Sequence, residues 1–165
     1  MIRFLFVLAT LLLGSFIQVV LGRYLSLYDA APQVFLILTI THGFIFGPLM
    51  GEILGFSWGL LSDATGVRMF GMNAFLLALA GYLAGKLRRR VASERIPTQV
   101  IIALVATLYY AIGAATVYSI FDESPGHFSN IHFILSAIYN ALFASALFYL
   151  TERWTVLWRI PQEHV

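Results

Sequence analysis

Long apolar stretches separated by short polar ones divide the chain into six runs, at about 4–22, 32–46, 48–63, 71–87, 98–121 and 131–154. The first begins after Arg3 and continues past Ser15, with no small-x-small cleavage site before a polar segment. This predicts a retained helix rather than a secretory signal. Pro32 opens the second run, where a missing N–H costs nothing at a helix start. One helix from Pro32 to Ser62 would be about 45 Å long, too long for a bilayer core of about 30 Å. Gly47-Pro48 therefore predicts a break, giving two short spans. Asp63 to Phe70 is a short loop, and Lys86 to Pro97 is the one strongly polar linker.

Composition makes these runs membrane spans. The 165 residues are 60% hydrophobic and 11% charged, with a mean hydropathy of +0.86. A soluble domain carries about a quarter charged residues. The expected class is an all-α integral membrane protein, one polytopic domain over 1–165 with six short transmembrane helices. There is no cysteine, so disulfides and thiolate metal sites are excluded.

Charge sets the orientation. With both termini in the cytoplasm, the inside holds Arg3, Lys86, Arg88, Arg89, Arg90, Arg95, Arg153 and Arg159, eight of the ten basic residues. Arg23, Arg68, Asp122 and Glu123 fall outside. This is a positive-inside pattern, and a five-span chain would split the basic clusters. Trp154 and Trp158, beside Arg153 and Arg159, read as an interfacial anchor. Arg88 to Arg90 suit anionic lipid head groups. Nucleic-acid binding would need a soluble basic surface, which is lacking.

The third run holds the densest chemistry. Glycines stand at 47, 51, 55 and 59, and carboxylates at Glu52 and Asp63. Glu52 and Asp63 are eleven residues apart, so on a helix they lie within about 20° of one face and about 16 Å apart along the axis. Gly59 shares that face. Small residues at this spacing let helices approach backbone to backbone, and an intramembrane carboxylate is a candidate functional group. The ridge could grip helices of another protein or border a polar cavity, or it could simply pack within the chain. Asp63 could instead end a helix at the membrane surface, and Glu52 could be solvated at the cytoplasmic interface. His42 could pair with Glu52 or bond a backbone carbonyl. Gln18 reads as an interhelical hydrogen-bonding residue, and Tyr109 and Tyr110 as packing. His127 and His132 are too sparse for a metal site. No His-Glu-x-x-His, Gly-x-Ser-x-Gly or phosphate loop is present, and no cofactor is expected.

Gly55-Phe-Ser-Trp-Gly59-Leu-Leu-Ser-Asp63-Ala-Thr-Gly66, then Gly71-Met-Asn-Ala74-Phe, then Gly81-Tyr82-Leu-Ala-Gly85 resemble the rod shape-determining protein MreD family. Pro32-Gln33-Val34 resembles the start of that family's second helix, and Gln18 matches a glutamine near the end of its first. The resemblance implies a bacterial inner-membrane protein of the cell-wall elongation machinery. It implies association with MreC, the MreB filament, RodA and its penicillin-binding transpeptidase. It also implies a fold like the substrate-binding subunits of energy-coupling-factor vitamin transporters.

Three functions follow as expectations. The first is a non-enzymatic component that maintains rod shape and binds partner helices such as MreC through the glycine and acid face. Its site would comprise Gln18, Gly51, Glu52, Gly55, Gly59, Asp63, Gly66, Gly71, Ala74, Tyr82 and Gly85. Gly59→Leu would then block MreC capture without preventing insertion. The second is a vitamin-binding transporter subunit, with Glu52, His42 and Asn140 lining a pocket. The Ala-x-x-x-Ala pair of that class is missing, since Leu13 follows Ala9 by four. The third is an enzyme or lipid-handling protein, with Asp63 as acid or base, for which no accompanying nucleophile, base or metal set exists.

Overall fold

The computed structural model describes residues 2–24, 32–65, 69–88, 90, 96–121 and 130–157. Its elements are six α-helices: α1 (Ile2–Tyr24), α2 (Val34–Phe46), α3 (Pro48–Thr65), α4 (Met72–Leu87), α5 (Ile96–Ile120) and α6 (Asn130–Leu157). The expectations placed on Gly66, Arg68, Arg89, Arg95, Asp122, Glu123, His127, Trp158 and Arg159 lie outside the described residues, as do those on the side chains of Arg3 and His132.

The helices fall into two length classes. Among the described residues, three are long and apolar enough to cross a membrane, at Leu5–Tyr24, Ile96–Ile120 and Ile134–Leu157. The helices between the first and the second of these are shorter, with 13 residues in α2, 18 in α3 and 16 in α4. By helical rise α2 is only about 20 Å long.

The core forms around α2, where 11 of 13 residues are buried. Its sequence, Val-Phe-Leu-Ile-Leu-Thr-Ile-Thr-His-Gly-Phe-Ile-Phe, has no polar face. A helix apolar on every side belongs inside a protein or a membrane. α2 stops because Gly47 adopts φ 94° and ψ 179°, a region essentially confined to glycine. Pro48 then starts α3, and no helical N–H is lost there.

Trp58 of α3 is fully buried, 6.1 Å from Phe35 and 5.5 Å from His42 between ring centres. α1 closes one side, with Phe6 edge-on to Phe46 at 5.5 Å and Gly14 against Leu38 and Trp58. α6 adds Phe148 beside Phe44 at 6.4 Å. α5 meets α4 where the Tyr109 hydroxyl donates to the Leu76 carbonyl at 3.1 Å.

Candidate functional site

The glycines of the third run face α4. A Cβ on Gly51 would stand 2.5 Å from the Gly81 carbonyl oxygen, and one on Gly55 would meet the Leu77 carbonyl and, at 2.7 Å, the Thr39 methyl. A Cβ on Gly59 would collide with the backbone of Asn73 and Ala74. From the other side, Gly81 lies on the Gly51 carbonyl and Gly85 on Gly47 and Pro48. Ala74, Leu77, Gly81 and Gly85 are spaced by three or four residues, one face of α4. Gly43 of α2 joins the same contact, its added Cβ only 2.6 Å from the Gly81 oxygen. The ridge is therefore the seam that holds α2, α3 and α4 together. Gly51, Gly55 and Gly59 are thus spent on packing within the chain and are buried against α4 and α2.

Asp63 completes the seam at its far end. It is 5% exposed. Its Oδ2 accepts the Gly71 and Ala74 N–H groups, each at 3.0 Å, and its Oδ1 accepts the Asn73 N–H at 3.1 Å. The first N–H groups of a helix have no partner inside it. Here one carboxylate from α3 satisfies three donors at the start of α4, where the helix dipole also favours negative charge. Gly71, with φ 96°, turns the chain so that its N–H points at Asp63. Asn73 extends the network by accepting the Tyr110 hydroxyl through its Oδ1.

A second set of polar side chains closes the start of α2. The Gln33 N–H donates to Asn140 Oδ1 at 2.8 Å, and the Phe35 N–H donates to Gln18 Oε1 at 3.3 Å. Gln18 Nε2 returns a bond to the Pro32 carbonyl at 3.2 Å. Asn140 is fully buried, and its Nδ2 donates to Thr107 Oγ1 at 2.8 Å and to Gln33 Oε1 at 3.3 Å. Side chains from α1, α5 and α6 thus meet at one helix end. Between this cluster and the Asp63 network lies a cavity of about 220 Å³ with a mixed lining, polar at Gln18, Gln33, Ser62, Thr65, Asn73 and Tyr110 and apolar at Phe35, Leu36 and Leu77.

Other expectations resolve differently. Glu52 is exposed on the outer side of α3, beside exposed Leu49, Ile53 and Phe56. It lies near Asp63's helical face, since α3 is one continuous helix, but the two differ in cover: Asp63, at the far end, is buried against the start of α4, and Glu52, near the first turn, is left exposed. His42 is 1% exposed and bonds the Leu38 carbonyl through Nδ1 at 2.7 Å, so it takes the backbone-carbonyl alternative rather than a pair with Glu52. Glu52, His42 and Asn140 do not converge: one is exposed and the other two are enclosed with separate partners. Trp154 is half-buried and its Nε1 donates to Thr10 Oγ1 at 3.1 Å, joining α6 to α1. Tyr82 lies under Lys86, whose Nζ is 4.8 Å from the ring centre.

The sequence reading missed Asn73, Tyr110, Thr107 and the capping role of Asn140. Asn73 stands at the start of a short apolar helix, where orphan backbone groups accumulate; Thr107, Tyr110 and Asn140 lie inside the long helices α5 and α6, where the available signal was an amide or hydroxyl within an apolar run.

Among the described residues the elements are all helices, three of them long and apolar enough to cross a membrane, and two buried polar side chains, Asp63 and Asn140, are committed to helix starts; this defines a helical membrane protein. The model of the rod shape-determining protein MreD family matches residues 1–155, and the chain belongs to that family. It therefore has a role in determining rod shape. No curated protein and no solved structure matches the chain.

Proposed function

We propose that the protein is a non-enzymatic, multi-pass component of the bacterial inner membrane that supports cell-wall elongation by binding partner helices, MreC first among them. The family match over 1–155 carries this reading. Both termini are cytoplasmic, as the basic residues suggest, and α2, α3 and α4 complete a six-span domain. That layout is consistent with a fold like the substrate-binding subunits of energy-coupling-factor transporters. MreB, RodA and its transpeptidase would be reached through the same assembly.

The partner surface differs from the one expected of the glycine ridge. With Gly51, Gly55 and Gly59 turned inward, the accessible part of the glycine and acid segment is the outer side of α3 around Glu52. A carboxylate amid Leu49, Ile53 and Phe56 is suited to a partner helix that brings a basic or hydrogen-bonding group into an apolar contact.

The test is co-purification with MreC from cells in which the protein replaces the resident copy. Glu52→Gln combined with Phe56→Ala is expected to reduce MreC recovery and round the cells while leaving thermal stability unchanged. Full MreC recovery and normal rods would overturn the assignment of this face.

A further inference from the structure

A second cavity, of about 380 Å³, opens between α2, α4 and α5. It runs from Ala80 to Leu87 on α4 and from Thr98 to Tyr109 on α5, with Ile40 and Phe44 of α2 as its floor. α5 touches α4 at the Leu76 end, through Tyr109 and Gly113. Beyond that contact the two helices leave a cleft. Its outer walls, Leu83, Ile101 and Val105, are exposed.

Length and charge identify the occupant. From Thr98 to Tyr109 is about 16 Å by helical rise, close to half of a hydrocarbon core of about 30 Å. A spanning partner helix would find only half its length matched. A lipid chain from one leaflet fits the whole groove. The open end of the groove, at Leu87 and Thr98, adjoins the described basic residues at and after the end of α4, Lys86, Arg88 and Arg90. Lys86 and Arg90 are exposed there. The amino-terminal end of α5 begins at the same level, at Ile96, and adds the positive end of a helix dipole.

We infer that this cleft binds one anionic phospholipid of the cytoplasmic leaflet, an acyl chain in the groove and the phosphate head group at the Lys86–Arg90 end. The lipid would fill the gap that α5 leaves against α2 and α4 and so fasten the α5–α6 pair to the central helices. The inference rests on the membrane placement proposed above and not on the partner assignment.

The full-length protein, delipidated in detergent, is titrated with phosphatidylglycerol and with phosphatidylcholine of the same chains and read by native mass spectrometry. One phosphatidylglycerol per chain is expected at concentrations where phosphatidylcholine is not retained. Filling the groove with Ile101→Trp and Val105→Trp should abolish retention of both lipids. Lys86→Gln with Arg90→Gln should keep an acyl-chain site but reduce the preference, by about fivefold for each charge removed. Equal retention of the two lipids by the unaltered protein, or unchanged retention in the tryptophan variant, would overturn the site. A photoreactive side chain at position 101 gives an independent reading in native membranes. Crosslinks to lipid are expected; crosslinks mainly to another protein, or to a second copy, would refute the lipid in favour of that occupant. These measurements concern the purified chain and its lipids, so their failure leaves the MreC and cell-shape results standing, and the converse holds.

Discussion

Asp63 shows how a residue with every mark of a catalytic or recognition group can be committed to the backbone. A buried carboxylate is costly unless its lone pairs find donors, and three N–H groups at the start of α4 supply them. Asp63→Ala would strand these donors in a buried site, where each unmet bond costs about 1–3 kcal/mol. The expected outcome is a loss on the order of 3 kcal/mol in stability, read as a fall in thermal midpoint in detergent. Asp63→Asn keeps one acceptor oxygen and should lose less. Asn140→Leu should also destabilise, because it leaves the Gln33 N–H without its acceptor and removes the donor to Thr107 Oγ1, whose hydroxyl keeps its bond to the Ala103 carbonyl. If either variant melts like the unaltered protein, the capping account of these residues fails. The sequence could reveal that Asp63 and Asn140 were unusual in apolar runs. It could not reveal that their partners were backbone groups 8 to 11 residues away for Asp63 and 107 residues away for Asn140, because that depends on which helix ends meet.

Among the elements, the α3–α4 seam decides how the glycine pattern is understood. Periodicity placed small residues along α3 but left open what they faced. The matching set Ala74, Leu77, Gly81 and Gly85 was legible on α4 only once the two helices were known to be antiparallel neighbours. Gly59→Leu then carries a different expectation from the one drawn on sequence alone. Its side chain would strike the backbone of Asn73 and Ala74, and backbone yields less readily than a flexible side chain. Overpacking a tight core costs about 1–3 kcal/mol even when side chains can adjust. The variant should therefore be unstable or poorly inserted, with MreC capture lost as a consequence. Folding measured before binding separates the two accounts: a stable Gly59→Leu protein that fails to bind MreC would restore the ridge as a partner surface. By contrast, Ile53→Ala on the exposed side of α3 should leave the melting temperature nearly unchanged, since surface substitutions away from special features fall within about 0.5 kcal/mol.

At the scale of the molecule, short helices inside longer ones create a problem that the polar residues solve. All-helical class, six helices and the Gly47-Pro48 interruption were legible because apolar runs and helix breakers are local signals. The inequality of the helices was legible too, but its consequence was not. α2 is about 20 Å long, so in a bilayer its ends lie below the level reached by α5 and α6, where water cannot satisfy free N–H groups. Gln18 and Asn140 at α2, and Asp63 at α4, sit where that deficit arises. This arrangement puts the helix-capping polar side chains, Asp63 among them, at one end of the helices and the basic residues around Lys86 at the other. On the orientation proposed above, the basic side faces the cytoplasm. The absence of native cysteine gives a direct measurement. Single cysteines at Phe70, 72% exposed before α4, and at Arg90, exposed after it, report opposite faces. In intact spheroplasts a membrane-impermeant maleimide should label Phe70→Cys and spare Arg90→Cys until the cells are lysed. The reverse pattern would invert the topology, and with it the leaflet from which the α4–α5 cleft draws its lipid.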